Sequence, residues 1–66
     1  MSLSLPKFWV NAWYEDGETE NASNSDTLTV GEASYFKSML EEARKKKVVR
    51  ITLETINGDI IKVFRY

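Results

Sequence analysis

The fold is decided by residues 29–55, which read TVGEASYFKSMLEEARKKKVVRITLET. Thr29 and Glu32 fit a capping box, in which the hydroxyl and the carboxylate bind free amides at a helix N-terminus. Apolar residues then recur at helical spacing on one side, which predicts an amphipathic helix; they are Ala33, Phe36, Met39, Leu40 and Ala43. We expect the helix to close in the basic run 44–47, because cations stabilise the negative end of the helix dipole.

The second half of this stretch predicts a strand, because apolar and polar residues alternate over residues 48–55. Asn57-Gly58 predicts a two-residue hairpin turn, after which residues 60–66 return as the last strand. The helix-facing side then holds Val49, Ile51, Leu53, Ile60, Phe64 and Tyr66. The opposite side holds Arg50, Thr52, Glu54, Ile61, Val63 and Arg65. A three-residue loop would reverse the two sides of the last strand.

The N-terminal half predicts a hairpin. Residues 7–15 read KFWVNAWYE, an aromatic-rich run that is typical of a strand, and Asp16-Gly17 predicts the turn that follows. We expect only a weak second strand over about residues 18–21, because this segment is polar on both faces, and a loop after it. The sequence therefore predicts an α+β fold with the order ββαββ, in which one helix packs on one face of a small antiparallel sheet.

Length and composition limit the functions that we expect. Sixty-six residues predict one domain over 1–66, with a tail at 1–6 and an acidic and polar hairpin and loop at 16–27. The chain has no cysteine and no histidine, which excludes disulfides, thiolate metal sites and the commonest general base. We therefore expect no enzyme activity, no cofactor, no metal site and no small-molecule substrate.

Charge and hydropathy argue against membranes and against a simple polyanion mimic. No apolar run approaches the ~20 residues of a membrane span, and the first residues do not fit a signal peptide. The absence of cysteine suits a reducing compartment, so we expect a cytoplasmic protein. The net charge of −1 combines a sum of −4 over residues 1–26 with a sum of +3 over residues 27–66.

The first strand carries more apolar surface than one helix can cover. Phe8, Val10, Ala12 and Tyr14 form one side, and Trp9 and Trp13 lie on the other. If the four-residue set is buried, the uncovered face is predicted to show Trp9, Trp13, Arg50, Ile61, Val63 and Arg65. Tryptophan and arginine are enriched in binding hot spots, so this set is the predicted partner-binding surface. The alternative is that both tryptophans pack at the rim of the core.

A second candidate surface is basic. It consists of Lys37, Arg44, Lys45, Lys46 and Lys47, which suit contact with phosphates or with an acidic protein. The alternative, which the sequence favours, is a solvated helix end. In that case Glu41 and Glu42 pair with Lys45 and Lys46 one helical turn further on.

These features predict a non-enzymatic protein-binding module, which binds another protein, itself as a homodimer, or both. Two alternatives stay open. One is nucleic-acid binding through the sheet-face Trp and Arg residues and the basic helix end, and the other is a structural subunit of a larger particle. The general design resembles that of small phage- or plasmid-encoded accessory proteins, and the resemblance implies inhibition of a host factor.

Overall fold

The computed structural model describes residues 8–66, so the predicted tail at 1–6 lies outside the described residues. The elements in chain order are β1 (Phe8–Tyr14), β2 (Thr19–Ser25), α1 (Val30–Arg44), β3 (Val48–Thr55) and β4 (Ile60–Arg65). All neighbouring strands are antiparallel, and the sheet order is β2-β1-β3-β4. This arrangement confirms the predicted α+β fold with one helix packed against a small antiparallel sheet.

The core lies between α1 and one face of the two central strands. Its buried apolar members are Val10, Ala12, Tyr14, Leu28, Ala33, Leu40, Val48, Ile51 and Leu53. Phe8 packs against this cluster, so the face of β1 that meets the helix is the one with four apolar residues. Trp9 and Trp13 therefore lie on the opposite face.

Helix α1 begins as predicted and is buried along a narrower stripe than its sequence suggested. Thr29 accepts a hydrogen bond from the Glu32 amide, and the Glu32 carboxylate accepts one from the Thr29 amide, which completes the capping box. Met39 and Ala43, both predicted on the buried side, are exposed. The helix ends at Arg44, because Lys45 adopts a left-handed conformation with φ of 60°.

Strand β2 is longer than predicted. We expected a weak strand over about residues 18–21 followed by a loop, but β2 reaches Ser25. Its backbone pairs with β1 along its length, with an extra residue at Ala22 between the Asn21 and Ser23 pairings. The pairing surface of β1 outweighs the low strand propensity of this polar segment.

Both hairpins use three-residue loops instead of the predicted two-residue loops. Tyr14 N–H donates to the Glu18 carbonyl over 2.8 Å, and Thr55 N–H donates to the Asp59 carbonyl over 2.8 Å. The third loop residue is glycine in each case, with φ of 89°. A two-residue turn of the predicted type needs positive φ at both central residues, and neither Asp16 nor Asn57 has it.

A β-bulge in β4 offsets the effect of the longer loop. Glu54 pairs with Ile60 and Leu53 with Lys62, which leaves Ile61 as an extra residue between them. Leu53 with Lys62 and Ile51 with Phe64 therefore pair as they would after a two-residue loop, which confirms the predicted position of Phe64 on the helix-facing side. The prediction for Ile60 was wrong, because a residue paired with Glu54 lies on the face away from the helix.

A second bulge changes the start of β3. Trp13 pairs with Arg50 and Tyr14 pairs with Val48, so Val49 is the extra residue there. Val48 is fully buried, whereas Val49 is only half-buried. The predicted core role of Val49 therefore belongs to Val48.

Candidate functional site

No element among residues 8–66 covers the face of the sheet that is turned away from α1. We call this surface the open face. Its central members, taken from the strand register, are Trp9, Asn11 and Trp13 on β1, Arg50, Thr52 and Glu54 on β3, and Ile60, Val63 and Arg65 on β4.

The two tryptophans of the open face have different surroundings. Trp9 is 41 % exposed, whereas Trp13 is half-buried. The Arg50 guanidinium lies over the Trp13 ring, 4.8 Å from its centroid, in a cation–π contact. This contact keeps the guanidinium next to Trp13.

The centre of the open face is closed to water although the helix lies on the other side. Thr52 is fully buried, and its hydroxyl donates a hydrogen bond of 2.5 Å to a Glu54 carboxylate oxygen. Its pairing partners are Asn11 on β1 and Val63 on β4. The side chains around Thr52 therefore pack together and form a continuous surface.

The structure brings together five of the six residues that the sequence placed on the partner-binding surface. Trp9, Trp13, Arg50, Val63 and Arg65 share the open face by register. Ile61 is exposed at the bulge of β4, so the register gives it no pairing partner on this face. Sequence reasoning missed Ile60, because no local signal marked the bulge.

The basic residues at the end of α1 are largely paired within the chain. Arg44 binds both carboxylate oxygens of Glu20, at 2.8 and 3.0 Å. Lys46 binds Asp16 at 3.0 Å and Glu18 at 3.1 Å, both in the first hairpin. Acidic residues of the first hairpin thus neutralise two of the basic residues at the end of α1.

The predicted pairing of Glu41 and Glu42 with Lys45 and Lys46 was wrong. Because the helix ends at Arg44, Lys45 and Lys46 do not continue its surface. Glu41 instead binds Lys37 at 3.2 Å and accepts a hydrogen bond of 2.8 Å from the Val48 amide. That amide is the first cause of the lowered pKa of Glu41, and Lys37 adds to it.

The basic residues border an open depression of about 320 Å³. Its lining consists of Lys37, Glu41, Lys45, Lys46 and Lys47, so Arg44 is the one predicted basic residue that is not part of it. The Lys37 and Lys46 ammonium groups are already bound to carboxylates. The depression is therefore less cationic than its composition suggests.

Tyr14, Glu20 and Arg44 form a hydrogen-bonded cluster between the sheet and the helix end. The Tyr14 hydroxyl donates to Glu20, which also accepts from Arg44. These hydrogen bonds, that of Arg44 first, lower the pKa of Glu20 to about 2, while burial raises the pKa of Tyr14. These contacts connect Arg44, the last residue of α1, to β1 and β2.

Within residues 8–66, no group of three potential metal ligands is placed to hold an ion, and no helix has the length and apolarity that crossing a bilayer requires. The chain matches no family model, and no curated protein and no solved structure matches it. Function therefore has to be inferred from the geometry of the open face.

Proposed function

We propose that the chain is a non-enzymatic protein-binding module and that the open face is its binding surface. The observation that carries this proposal is that an exposed Trp9 and the Arg50–Trp13 stack share one face, which none of the described elements covers. Tryptophan and arginine dominate the energetics of protein interfaces, because they bury large areas and make directed polar contacts. Location in the cytoplasm and inhibition of a host factor stay predictions.

The pre-organised centre of the open face supports this proposal. Arg50 is held over Trp13, and Thr52 is held by Glu54, so a partner orders few additional side chains when it binds. Ordering a flexible side chain costs about 0.5–1.5 kcal/mol at an interface. A surface that is already ordered binds more tightly for the same area.

Nucleic-acid binding is less well supported by the same contacts. Single-stranded nucleic acids bind when bases stack on exposed aromatic rings beside cations. Here the Arg50 guanidinium already lies over one side of the Trp13 ring, and Arg44 and Lys46 are bound to carboxylates. Glu54 adds a negative charge to the open face itself.

A pair of matched variants tests the proposal. The open-face variant carries Trp9→Ser and Val63→Ser, which are 41 % and 37 % exposed in the wild type. The control carries Tyr35→Ser and Val30→Ser, an aromatic and a valine that are exposed on α1. Proteins retained from an extract of the source organism are identified, purified and titrated against all three chains. The open-face variant should bind about 30-fold more weakly, which corresponds to ~2 kcal/mol, and the control should bind like the wild type.

Two results would contradict the proposal. Equal affinity of both variants for every retained protein would remove the open face as the binding surface. The second contradicting result would come from titration with single- and double-stranded oligonucleotides at two salt concentrations. Tight binding that falls steeply with salt, and that collapses when Lys45, Lys46 and Lys47 are changed to Gln, would establish nucleic acid as the ligand.

A further inference from the structure

The open face is arranged symmetrically about its central row. The strand register forms three rows across β1, β3 and β4: Trp9–Glu54–Ile60, Asn11–Thr52–Val63 and Trp13–Arg50–Arg65. Each outer row lies two residues from the central row, a distance of about 6.6 Å along the strands. Both outer rows begin with a tryptophan, but their charges have opposite signs.

The charges of the outer rows form no ion pair within the part of the chain that the structure describes. Arg50 and Arg65 are direct partners across β3 and β4, and like charges in this arrangement are unfavourable. None of the ion pairs found within residues 8–66 includes Arg50, Arg65 or Glu54. The arginine row therefore favours an anionic partner, and Glu54 favours a cationic one.

We infer that the partner of the open face is a second copy of the chain, packed face to face about a two-fold axis that runs along the row Asn11–Thr52–Val63. The inference rests on the proposed function, because it requires the open face to bind protein. The axis exchanges the two outer rows. Glu54 of each copy then lies opposite Arg50 of the other, and Trp9 lies opposite Trp13.

The arrangement satisfies the requirement of a two-fold interface, which is that one patch complements itself. A single axis pairs Glu54 with Arg50 and Trp9 with Trp13 in both halves of the interface and places Arg65 opposite Ile60, so no second surface has to be assumed. The two sheets would lie about 10 Å apart, the usual spacing of stacked sheets. Such packing also enlarges the core of a chain whose helix buries few residues.

Charge reversal provides a test that another dimer geometry cannot imitate. Arg50→Glu places a second carboxylate against Glu54 of the other copy, and Glu54→Arg places a second guanidinium against Arg50 of the other copy. Each variant alone should dimerise at least about 100-fold more weakly than the wild type, because like charges meet twice across the axis. An equimolar mixture of the two variants should form a one-to-one heterodimer. Only in the mixed pair do both contacts join a carboxylate to a guanidinium. Sedimentation equilibrium measures the self-association of each variant alone. The same method, with one variant fluorescently labelled, measures the association in the mixture.

Intrinsic fluorescence gives a second measurement that reports on the open face alone. The chain contains two tryptophans, and both lie on this face. Acrylamide should quench the tryptophan fluorescence of the wild type less as the protein concentration rises through about 1–100 µM, the range in which a micromolar dimer forms. The singly changed chains should show no such protection, and their mixture should recover it.

The variant Val63→Lys covers the case in which a charge-reversed chain does not fold. It is a substitution at an exposed site on the axis, where two ammonium groups would meet, and it should abolish dimerisation while the thermal melt stays cooperative. A wild type that stays monomeric, or a dimer that is unchanged by all of these variants, would overturn the inference. Loss of another protein by the open-face variant would still support the proposed function in either case.

Discussion

Arg44 and Lys46 at the end of α1 form ion pairs within the chain, whereas the charged residues of the open face form none among residues 8–66. Arg44 is bound to Glu20, and Lys46 is bound to Asp16 and Glu18. On the open face, Arg50 lies beside another arginine, Arg65, and over an aromatic ring. Both regions contain basic and acidic side chains. They differ in whether these side chains are already bound in ion pairs or are available to a partner.

This difference separates a structural role from a binding role. The ion pairs at the helix end connect elements that are distant in sequence, and they hold α1 against the first hairpin. A partner that bound there would have to replace contacts that already exist. On the open face a partner would add contacts without breaking an ion pair, which is why we propose this region as the binding surface.

The largest expected effect compares residues of β3 that point to opposite faces. Leu53→Ala should lower the free energy of unfolding by about 2–5 kcal/mol, because it leaves a cavity beneath the helix. Arg50→Ala on the open face should change it by no more than about 1 kcal/mol. Urea denaturation, at a protein concentration too low for dimers to form, measures both changes in the free energy of unfolding. Similar losses from the two variants would show that the two faces of β3 are not distinguished as described.

An intermediate effect concerns acid stability at the helix end. The pKa of Glu20 is lowered to about 2, so its ion pair stabilises the fold above the ordinary carboxyl pKa of 4.5 and is lost as the pH falls towards 2. Because Arg44 is half-exposed, solvent weakens this ion pair and we expect its contribution to be small. Glu20→Gln should reduce the acid-dependent loss of stability in urea titrations between pH 5 and pH 2.

The control for this effect is a double-mutant cycle. In a chain that already carries Arg44→Gln, the additional change Glu20→Gln should alter the acid response less than it does in the wild type. An equal change in both backgrounds would mean that Arg44 is not the group that keeps Glu20 ionised, and would assign that role to the Tyr14 hydroxyl.

The smallest expected effect concerns Lys45, a cation of the helix end with a left-handed backbone. Glycine adopts this conformation at no steric cost, so Lys45→Gly should raise the free energy of unfolding by about 0.5–1 kcal/mol. Differential scanning calorimetry measures this gain as a higher Tm. A lower Tm would show that the Lys45 side chain makes a stabilising contact and would weaken the contrast between the two regions.

The parts of the fold that depend on neighbours in sequence could be predicted from it. Thr29 and Glu32 mark the start of α1, because a capping box is complete within one turn. The alternation around Ile51 and Leu53 identified the buried face of β3 for the same reason. The composition of the open face followed from these elements, and most of its residues were placed correctly.

The parts that depend on distant contacts could not be predicted. Ile60 changed faces because of a bulge, which is a property of pairing and has no signal in the residues themselves. The pairing of Lys46 with Asp16 and Glu18 joins segments that are far apart in the chain, so the sequence assigned the nearer Glu42 to Lys46 instead. The polar strand β2 is stabilised by the backbone of β1, which no local pattern reveals.

The bulges at Ala22 and Ile61 also affect the risk of aggregation. Both lie on the outer strands β2 and β4, which are the edges of the sheet. An edge with regular spacing of free amides and carbonyls is a template onto which further strands add, as in amyloid. A bulge interrupts that spacing and increases the local twist, so each edge offers only short regular runs. Open-ended growth through the edges is thereby disfavoured, whereas the association that we propose uses the flat of the sheet and leaves both edges free.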